Sequence, residues 1–403
     1  MKKIIVSGGW GYGNLGDNAI LSGLLGAIDD LMGKHYFRIL SFSTEEIEHN
    51  HGMAASVSIH RIMENERSFP NWLQRRVPFL RKSFRSIEKL APEQMAEIGG
   101  ADLLVLSGGG YFNGAWPSMA DSQYAMIRRA KESGAKIVIL GQSIGPFNRG
   151  EINGRLAEHL QMVDMIAVRD QVSYEICKDA LGSEANLRLT ADLANLLPNK
   201  ERKVLEDNHS LPARLGVMVQ YPRAKNSKHS TRTRTRSKTK DDYFAEVSES
   251  IVRFARGKSI EVDVIPSTTW DRQACKDVTA ALQREGCKAR YQQPENVGEF
   301  ISLCQGVDLM FSTNMHPLII ASTAAIPLVA LSYHFKTDHF MTEIGLEDRV
   351  LDIDRFTTMD VLDLLESTWA NRVALSDVVR SKQKGLRDLS AASIDMLREY
   401  IAP

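Results

Sequence analysis

The sequence predicts an α/β protein of two doubly wound domains facing a cleft. Three observations carry this. Short strands that are apolar throughout alternate with segments of helical period. The alternation runs once through the first half of the chain and again through the second. Between the halves lies DLANLLPNKERKVLEDNHSLP, a proline- and charge-rich stretch that reads as a linker.

In the first half the strands are KKIIVSG, YFRILSFS, ADLLVLSGGG, AKIVILGQS and DMIAVRD. NAILSGLLGAIDDLM and SMADSQYAMIRRAKESG read as helices between them. Apolar strands joined through helices imply a parallel sheet covered on both faces. In the second half RLGVMVQYP, SIEVDVIPST, VDLMFST and IPLVALSY are strands, while DDYFAEVSESIVRFA, WDRQACKDVTAALQREG and HPLIIASTAA are helices. The expected division is 1–195 for a Rossmann-like domain, 196–212 for the linker and 213–356 for a second such domain. Helices over 357–403 are expected to cross back to the first domain.

Composition narrows the class. Of 403 residues, 43% are hydrophobic and 25% charged, as in an ordinary soluble globular protein. Lys plus Arg and Asp plus Glu number 50 each. Eight of the cations, from Arg223 to Lys240, form a run with no acid among them, so the rest of the chain is acidic. Four scattered cysteines make no C-x-x-C, which fits a reducing compartment and argues against a disulfide framework or a zinc site. No apolar stretch reaches the roughly 18 residues of a membrane-spanning helix. MKKIIVSGG reads as a first strand rather than a secretion signal.

Ligands of open parallel sheets bind beyond the carboxyl ends of strands. The loops to watch are therefore SGGWGYGNLGDN, SGGGYFNGAWPS, GQSIGPFNRG, VRDQVS, QYPRAK, PSTTWDR, STNMHP and SYHFKTD. The first contains GYGNLG, Gly11 to Gly16, which fits G-x-G-x-x-G. A dinucleotide cradle needs its glycines to bring N–H groups onto a pyrophosphate. Asp17 would repel that pyrophosphate, and Gly8, Gly9 and Trp10 lengthen the turn. The loop reads instead as a turn capped by Asn14 or Asp17, with Asp17 a carboxylate facing the cleft and open to hydroxyl groups.

NLGDNAIL, LSGGG at Leu106 to Gly110, GQSIGP at Gly141 to Pro146, VRD at Val168 to Asp170 and a C-terminal histidine motif follow one another in order. With these the chain resembles the polysaccharide pyruvyl transferases over nearly its whole length. The resemblance implies a glycosyltransferase-like (GT-B) pair of domains, with 1–195 expected on the acceptor side and 213–356 on the donor side. It also implies transfer of the enolpyruvyl unit of phosphoenolpyruvate to sugar hydroxyls of a surface polysaccharide, forming a ketal and releasing phosphate. Phosphoenolpyruvate is then a co-substrate, and neither a cofactor nor a metal is expected. The implied setting is the cytoplasm, with peripheral contact at the inner face of the membrane left open.

Such chemistry needs cations and N–H groups for a trianionic donor, and groups that give and take protons. His316 precedes Pro317 at the start of a helix, and its imidazole is placed to handle a proton; Asp17 is the second catalytic candidate. Ser312, Asn314, Lys336, Arg223 and Lys225 are candidates for the donor. Asn14, Gly109, Gly110, Tyr111, Asn113, Gln142 and Arg169 are candidates for the acceptor, with Trp116 and Ser143 beside them. A plainer reading stands next to each: His316 as a helix cap, Lys336 as a solvated charge, Arg169 and Asp170 as an ion pair, Tyr111 as loop packing. One departure stands out. Where the family shows Arg-Leu-His, this chain has Asn314-Met315-His316, losing a charge and a bidentate fork. That keeps two alternatives open, a glycosyltransferase with a nucleotide-sugar donor and a non-catalytic glycan-binding or scaffold member.

The cationic run RAKNSKHSTRTRTRSKTK has three readings: a solvated loop, a lid over phosphoenolpyruvate, or an attractor for anionic lipid or a lipid-linked oligosaccharide. Nucleic acid is not an expected partner, because the run has no interleaved aromatics.

Overall fold

The computed structural model describes residues 1–66, 91–114, 117–183, 186–199, 212–221 and 239–402. The chain divides into two units. The first holds Met1–Tyr12, Leu24–Leu193 and Leu389–Pro403; the second holds Gly13–Gly23 and Ala194–Asp388. Each is a parallel sheet with helices, which makes the fold α/β and Rossmann-like.

The first unit has seven strands: β1 (Lys3–Ser7), β2 (Tyr36–Ser41), β3 (Ala55–Val57), β4 (Leu103–Ser107), β5 (Lys136–Gln142), β6 (Met165–Val168) and β7 (Leu187–Leu189). They lie in the order β3-β2-β1-β4-β5-β6-β7 and all pairs are parallel. All five residues of β4 are buried, as are the last six of β5. Both faces of the sheet are therefore covered, which is why these strands carry no polar alternation. The order reverses between β1 and β4, so the loops after Ser7 and Ser107 flank the switch point where such sheets bind ligands.

The second unit has six strands: β8 (Arg214–Met218), β9 (Glu261–Val264), β10 (Ala289–Tyr291), β11 (Leu309–Ser312), β12 (Leu328–Ser332) and β13 (Val350–Asp352). Their order is β10-β9-β8-β11-β12-β13, again all parallel. The switch point falls between β8 and β11. The loop after β11 ends at Asn314, with His316 in the first turn of the helix that follows, and the loop after β9 carries Ser267 to Asp271. The loop after β8 holds most of the cationic run; residues 222–238, with Arg223 and Lys225, lie outside the described residues, as do Trp116 and most of the linker.

Helix starts follow local chemistry. Thr239 opens helix Lys240–Lys258 and Thr357 opens helix Thr358–Ala370, each with an Asp three residues on completing a reciprocal cap. The last helix, Arg372–Ile401, supplies residues to both units. Among the described residues no helix is long and apolar enough to cross a membrane.

Candidate active site

In the second unit the glycine loop is clamped by the loop after β9. Thr269 N–H donates to the Gly13 carbonyl at 3.0 Å, Leu15 N–H donates to the Ser267 carbonyl at 2.9 Å, and Asn14 bridges Thr268. Gly13 sits at φ +67°, and a Cβ there would fall 2.5 Å from Thr269 Cγ2, so the close approach requires glycine. Asn14 then caps helix Leu15–Ala27: its Oδ1 accepts from Gly16 N–H at 3.0 Å. Its Nδ2 donates to Asp17 Oδ2 at 2.6 Å. Asp17, read from sequence as open to hydroxyls, is 3% exposed.

His316 meets this loop directly. A Cβ on Gly16 would lie 2.4 Å from His316 Nδ1 and 2.6 Å from its Cγ, so the imidazole packs on the bare glycine backbone. The helix after β11 runs Met315–Ser322, with Asn314 at its N-cap position and His316 second in the helix. His316 is thus not the cap; it projects from the first turn. Asn314 makes no side-chain cap of its own. Its Nδ2 donates to Ser267 Oγ at 2.8 Å and to Asp271 Oδ2 at 3.1 Å. Ser312, fully buried, uses its hydroxyl on the Asn314 backbone, donating to the carbonyl at 2.7 Å and accepting from the N–H at 3.0 Å.

Lys336 is second in helix Phe335–Glu343 after β12, and its N–H donates to His334 Nδ1 at 3.2 Å. That helix packs on Met315–Ser322. The second unit therefore gathers Asn14, Asp17, Asn314 and His316, with Lys336 on the neighbouring helix. Ser267, Thr268 and Asp271 join them. The loop PSTTWDR is legible as a strand-end loop, but no single residue of it stands out. The signal available is the density of hydroxyls ahead of an Asp.

The first unit gathers a separate polar set. Loop 108–114 is zipped to loop 142–146: Ser143 N–H donates to Gly109 O at 3.0 Å, Gly145 N–H to Phe112 O at 2.8 Å and Gly114 N–H to Pro146 O at 3.0 Å. Tyr111 lies across two glycines. A Cβ on Gly9 would sit 1.6 Å from its ring and one on Gly109 2.2 Å away, and its hydroxyl donates to the Gly9 carbonyl at 3.3 Å. Asn113 donates to the Gly110 carbonyl. Gly141, at φ +63°, interrupts the β5–β6 register and turns Gln142 inward. Gln142 is 1% exposed, and among the described residues neither of its amide atoms has a hydrogen-bond partner; the buried Ser107 hydroxyl has none there either.

Arg169 is 6% exposed and its ion pair is with Asp192, not with Asp170 as the sequence suggests. Its Nε also donates to Ser143 Oγ at 2.8 Å. Asp170 instead caps helix Gln171–Leu181, accepting from Ser173 N–H at 2.8 Å and from the Ser143 hydroxyl at 2.5 Å. The Ser143 hydroxyl thus links Arg169 to Asp170, while Arg169 carries the ion pair to Asp192 and Asp170 the helix cap.

Among the described residues no group of three or more His, Cys, Asp or Glu is arranged to hold a metal ion. Burial pushes the thiols of Cys177 and Cys275 up to about 12, which leaves them protonated and inert.

Solved structures of similar fold include MurG of Acinetobacter baumannii (TM-score 0.55, 10% identity, covering 99% of this chain and 100% of that one). UDP-GlcNAc 2-epimerase from Neisseria meningitidis, bound to UDP-GlcNAc, matches at TM-score 0.60 and 10% identity, with 99% and 100% coverage. Anabaena HepE in complex with UDP-glucose matches at 0.56 and 9%, again with 99% and 100% coverage. These likenesses establish a GT-B-type fold. The model of the family described as polysaccharide pyruvyl transferase matches residues 14–335, a span that opens at Asn14 and includes His316. The chain belongs to the polysaccharide pyruvyl transferase family.

Proposed function

We propose that this transferase moves the enolpyruvyl unit of phosphoenolpyruvate onto two hydroxyls of a sugar in a surface-polysaccharide intermediate. The observation that carries the reading is the family match over 14–335, whose two signature loops meet where His316 packs on Gly16.

The bonds balance as follows. One sugar oxygen bonds to C2 of the donor and its proton leaves. C3 takes up a proton and becomes a methyl group. A second sugar hydroxyl then displaces phosphate from C2, closing the ketal, and its proton leaves with the phosphate. His316, fixed on a helix start and against the glycine loop, is the group that gives or takes one of these protons. Asp17 follows Gly16 directly and is the second titratable group of the site. The first turn of helix Met315–Ser322 favours an anion through the helix dipole, and Lys336 supplies charge from the adjoining helix. In the first unit, Gln142 and the loop of Gly109, Gly110, Tyr111 and Asn113 are the candidates for sugar hydroxyls. The acceptor is a glycan or a lipid-linked oligosaccharide, met in the cytoplasm or at the inner face of the membrane.

The test is phosphate release from phosphoenolpyruvate with galactose-, mannose- and N-acetylmannosamine-containing acceptors. Release that depends on both acceptor and His316 supports the reading; acceptor-independent or absent release overturns it. A second reading, a nucleotide-sugar donor, is favoured by the similar structures that hold UDP-GlcNAc and UDP-glucose. Calorimetry with UDP-sugars alongside phosphoenolpyruvate separates the two, and binding of glycan with no turnover of either donor would mark a non-catalytic member.

A further inference from the structure

The amide of Asn314 is held in one of its two orientations. Asp271 Oδ2 lies 3.1 Å from Asn314 Nδ2. A carboxylate has no proton to give, so the group facing it is the NH2 and not the carbonyl. Ser267 closes the argument: its hydroxyl donates to the same Asp271 oxygen at 3.1 Å, which leaves its own oxygen to accept from Asn314 Nδ2 at 2.8 Å. Thr268 adds a third donor to that oxygen at 2.7 Å. Asp271 itself is 3% exposed. Both hydrogens of the Asn314 amide are thus spent on the protein. Its Oδ1 is buried and receives no hydrogen bond among the described residues. A buried acceptor left in this state is unfavourable until a donor reaches it.

We propose that Asn314 is a specificity-determining residue whose Oδ1 accepts a hydrogen bond from a neutral donor group of the substrate, a sugar hydroxyl or acetamido N–H, with Asp271 as its positioning residue. Phosphate and carboxylate oxygens offer lone pairs to a lone pair and are disfavoured at this atom. Asn314 therefore reads the sugar, and the anion of phosphoenolpyruvate is held by other groups. The identity of the ligand rests on the pyruvyl-transfer reading; the orientation of the amide does not.

The experiment compares wild type, Asn314→Leu, Asn314→Ser and Asp271→Asn. Phosphoenolpyruvate affinity is measured by calorimetry, and KM and kcat are measured for methyl galactoside, mannoside and N-acetylmannosaminide with their deoxyfluoro analogues. Asn314→Leu is expected to raise the KM of the preferred glycoside about tenfold or more while the Kd for phosphoenolpyruvate stays within about twofold. Fluorine cannot donate, so one fluoro analogue should lose the same factor in wild type and nothing further in Asn314→Leu. Asp271→Asn can present either a carbonyl or an NH2, so it no longer fixes the Asn314 amide, and should raise KM with kcat retained; a purely structural role for Asp271 would lower the melting temperature without that split. If Asn314→Leu does not fold, Asn314→Ser carries the same comparison. A tenfold loss of phosphoenolpyruvate affinity at unchanged glycoside KM overturns the proposal, and so does a change in neither. If wild type fails to bind phosphoenolpyruvate, the functional reading falls. The proposal is then judged by saturation-transfer NMR with the same methyl glycosides: binding that depends on Asn314 sustains it, and a panel with no such dependence overturns it.

Discussion

The imidazole of His316 rests on the backbone of Gly16, at a distance that leaves no room for a side chain between them. The two residues are 300 positions apart in the chain, and each comes from a different family motif.

Gly16→Ala should disturb activity more than stability. The residue is second in its helix, where alanine is the better helix former, but the new Cβ would fall 2.4 Å from His316 Nδ1 and 2.7 Å from its Cβ, so thermal stability should fall modestly. The new methyl displaces the imidazole, and a displacement of about 1 Å at a reacting group is enough to lose about 100-fold in rate. Turnover of phosphoenolpyruvate and a melting curve on the same preparation check this. Unchanged turnover would remove His316 from the chemistry.

His316→Ala should lower kcat by roughly two to four decades, the range for loss of a general acid or base. Circular dichroism should show the fold retained, because the side chain is only half-buried. Near-native turnover in this variant would reduce His316 to packing.

Arg169→Met should be the most destabilising single change considered. It removes the cation paired with the Asp192 carboxylate in a site where both side chains are almost fully buried. Removing one member of a buried pair typically costs about 3–5 kcal/mol, whereas replacing both by apolar groups is often neutral. Urea denaturation of Arg169→Met and of the double variant Arg169→Met with Asp192→Leu should show the loss and much of its recovery.

His159 should make the first unit acid-sensitive. It is fully buried; its Nε2 lies 3.2 Å from Arg128 Nη2, which can only donate, so Nε2 accepts and Nδ1 gives its proton to the Arg155 carbonyl at 2.7 Å. The ring is thus the neutral tautomer. Burial, aided by Arg128 and Arg155, holds its pKa below the ordinary 6.5, against the opposing pull of the Arg155 carbonyl. Below 6.5 the unfolded chain binds a proton that the folded chain refuses, so stability is full above that value and falls as pH drops toward the folded pKa. Denaturation midpoints at pH 8, 7, 6 and 5 should fall more steeply in wild type than in His159→Gln. Parallel profiles would show that other groups carry the acid sensitivity.

What the sequence made legible is the interior. The nine strands read from apolar runs are all present, because buried parallel strands need apolar residues on both faces. The four strands it misses are β3, β7, β10 and β13, each three residues long and each at a sheet edge. An edge strand is half-exposed and short, so it leaves no periodic signal. The site divides in the same way. Asn314 and His316 stand out because they open a helix after an apolar strand. Asp271 does not, because its meaning lies in Ser267 and Asn314, and nothing in a linear reading ties residue 271 to residue 314. Arg169 reads from sequence as the partner of its neighbour Asp170, but its ion pair reaches Asp192, 23 positions on, which no linear reading ties to it.

Residues 13–23 belong with the second unit although the chain on either side of them belongs with the first. Modularity in this protein is therefore not a property of contiguous sequence. A chimera joined at residue 194 would bring its own Asn14, Gly16 and Asp17 to a foreign His316 and Asp271, breaking the clamp between Gly13 and Thr269. Swapping specificity between relatives calls for moving two pieces together, the eleven-residue segment and the block from Ala194 onward. Expressing either half alone yields a polypeptide that lacks part of its own partner set.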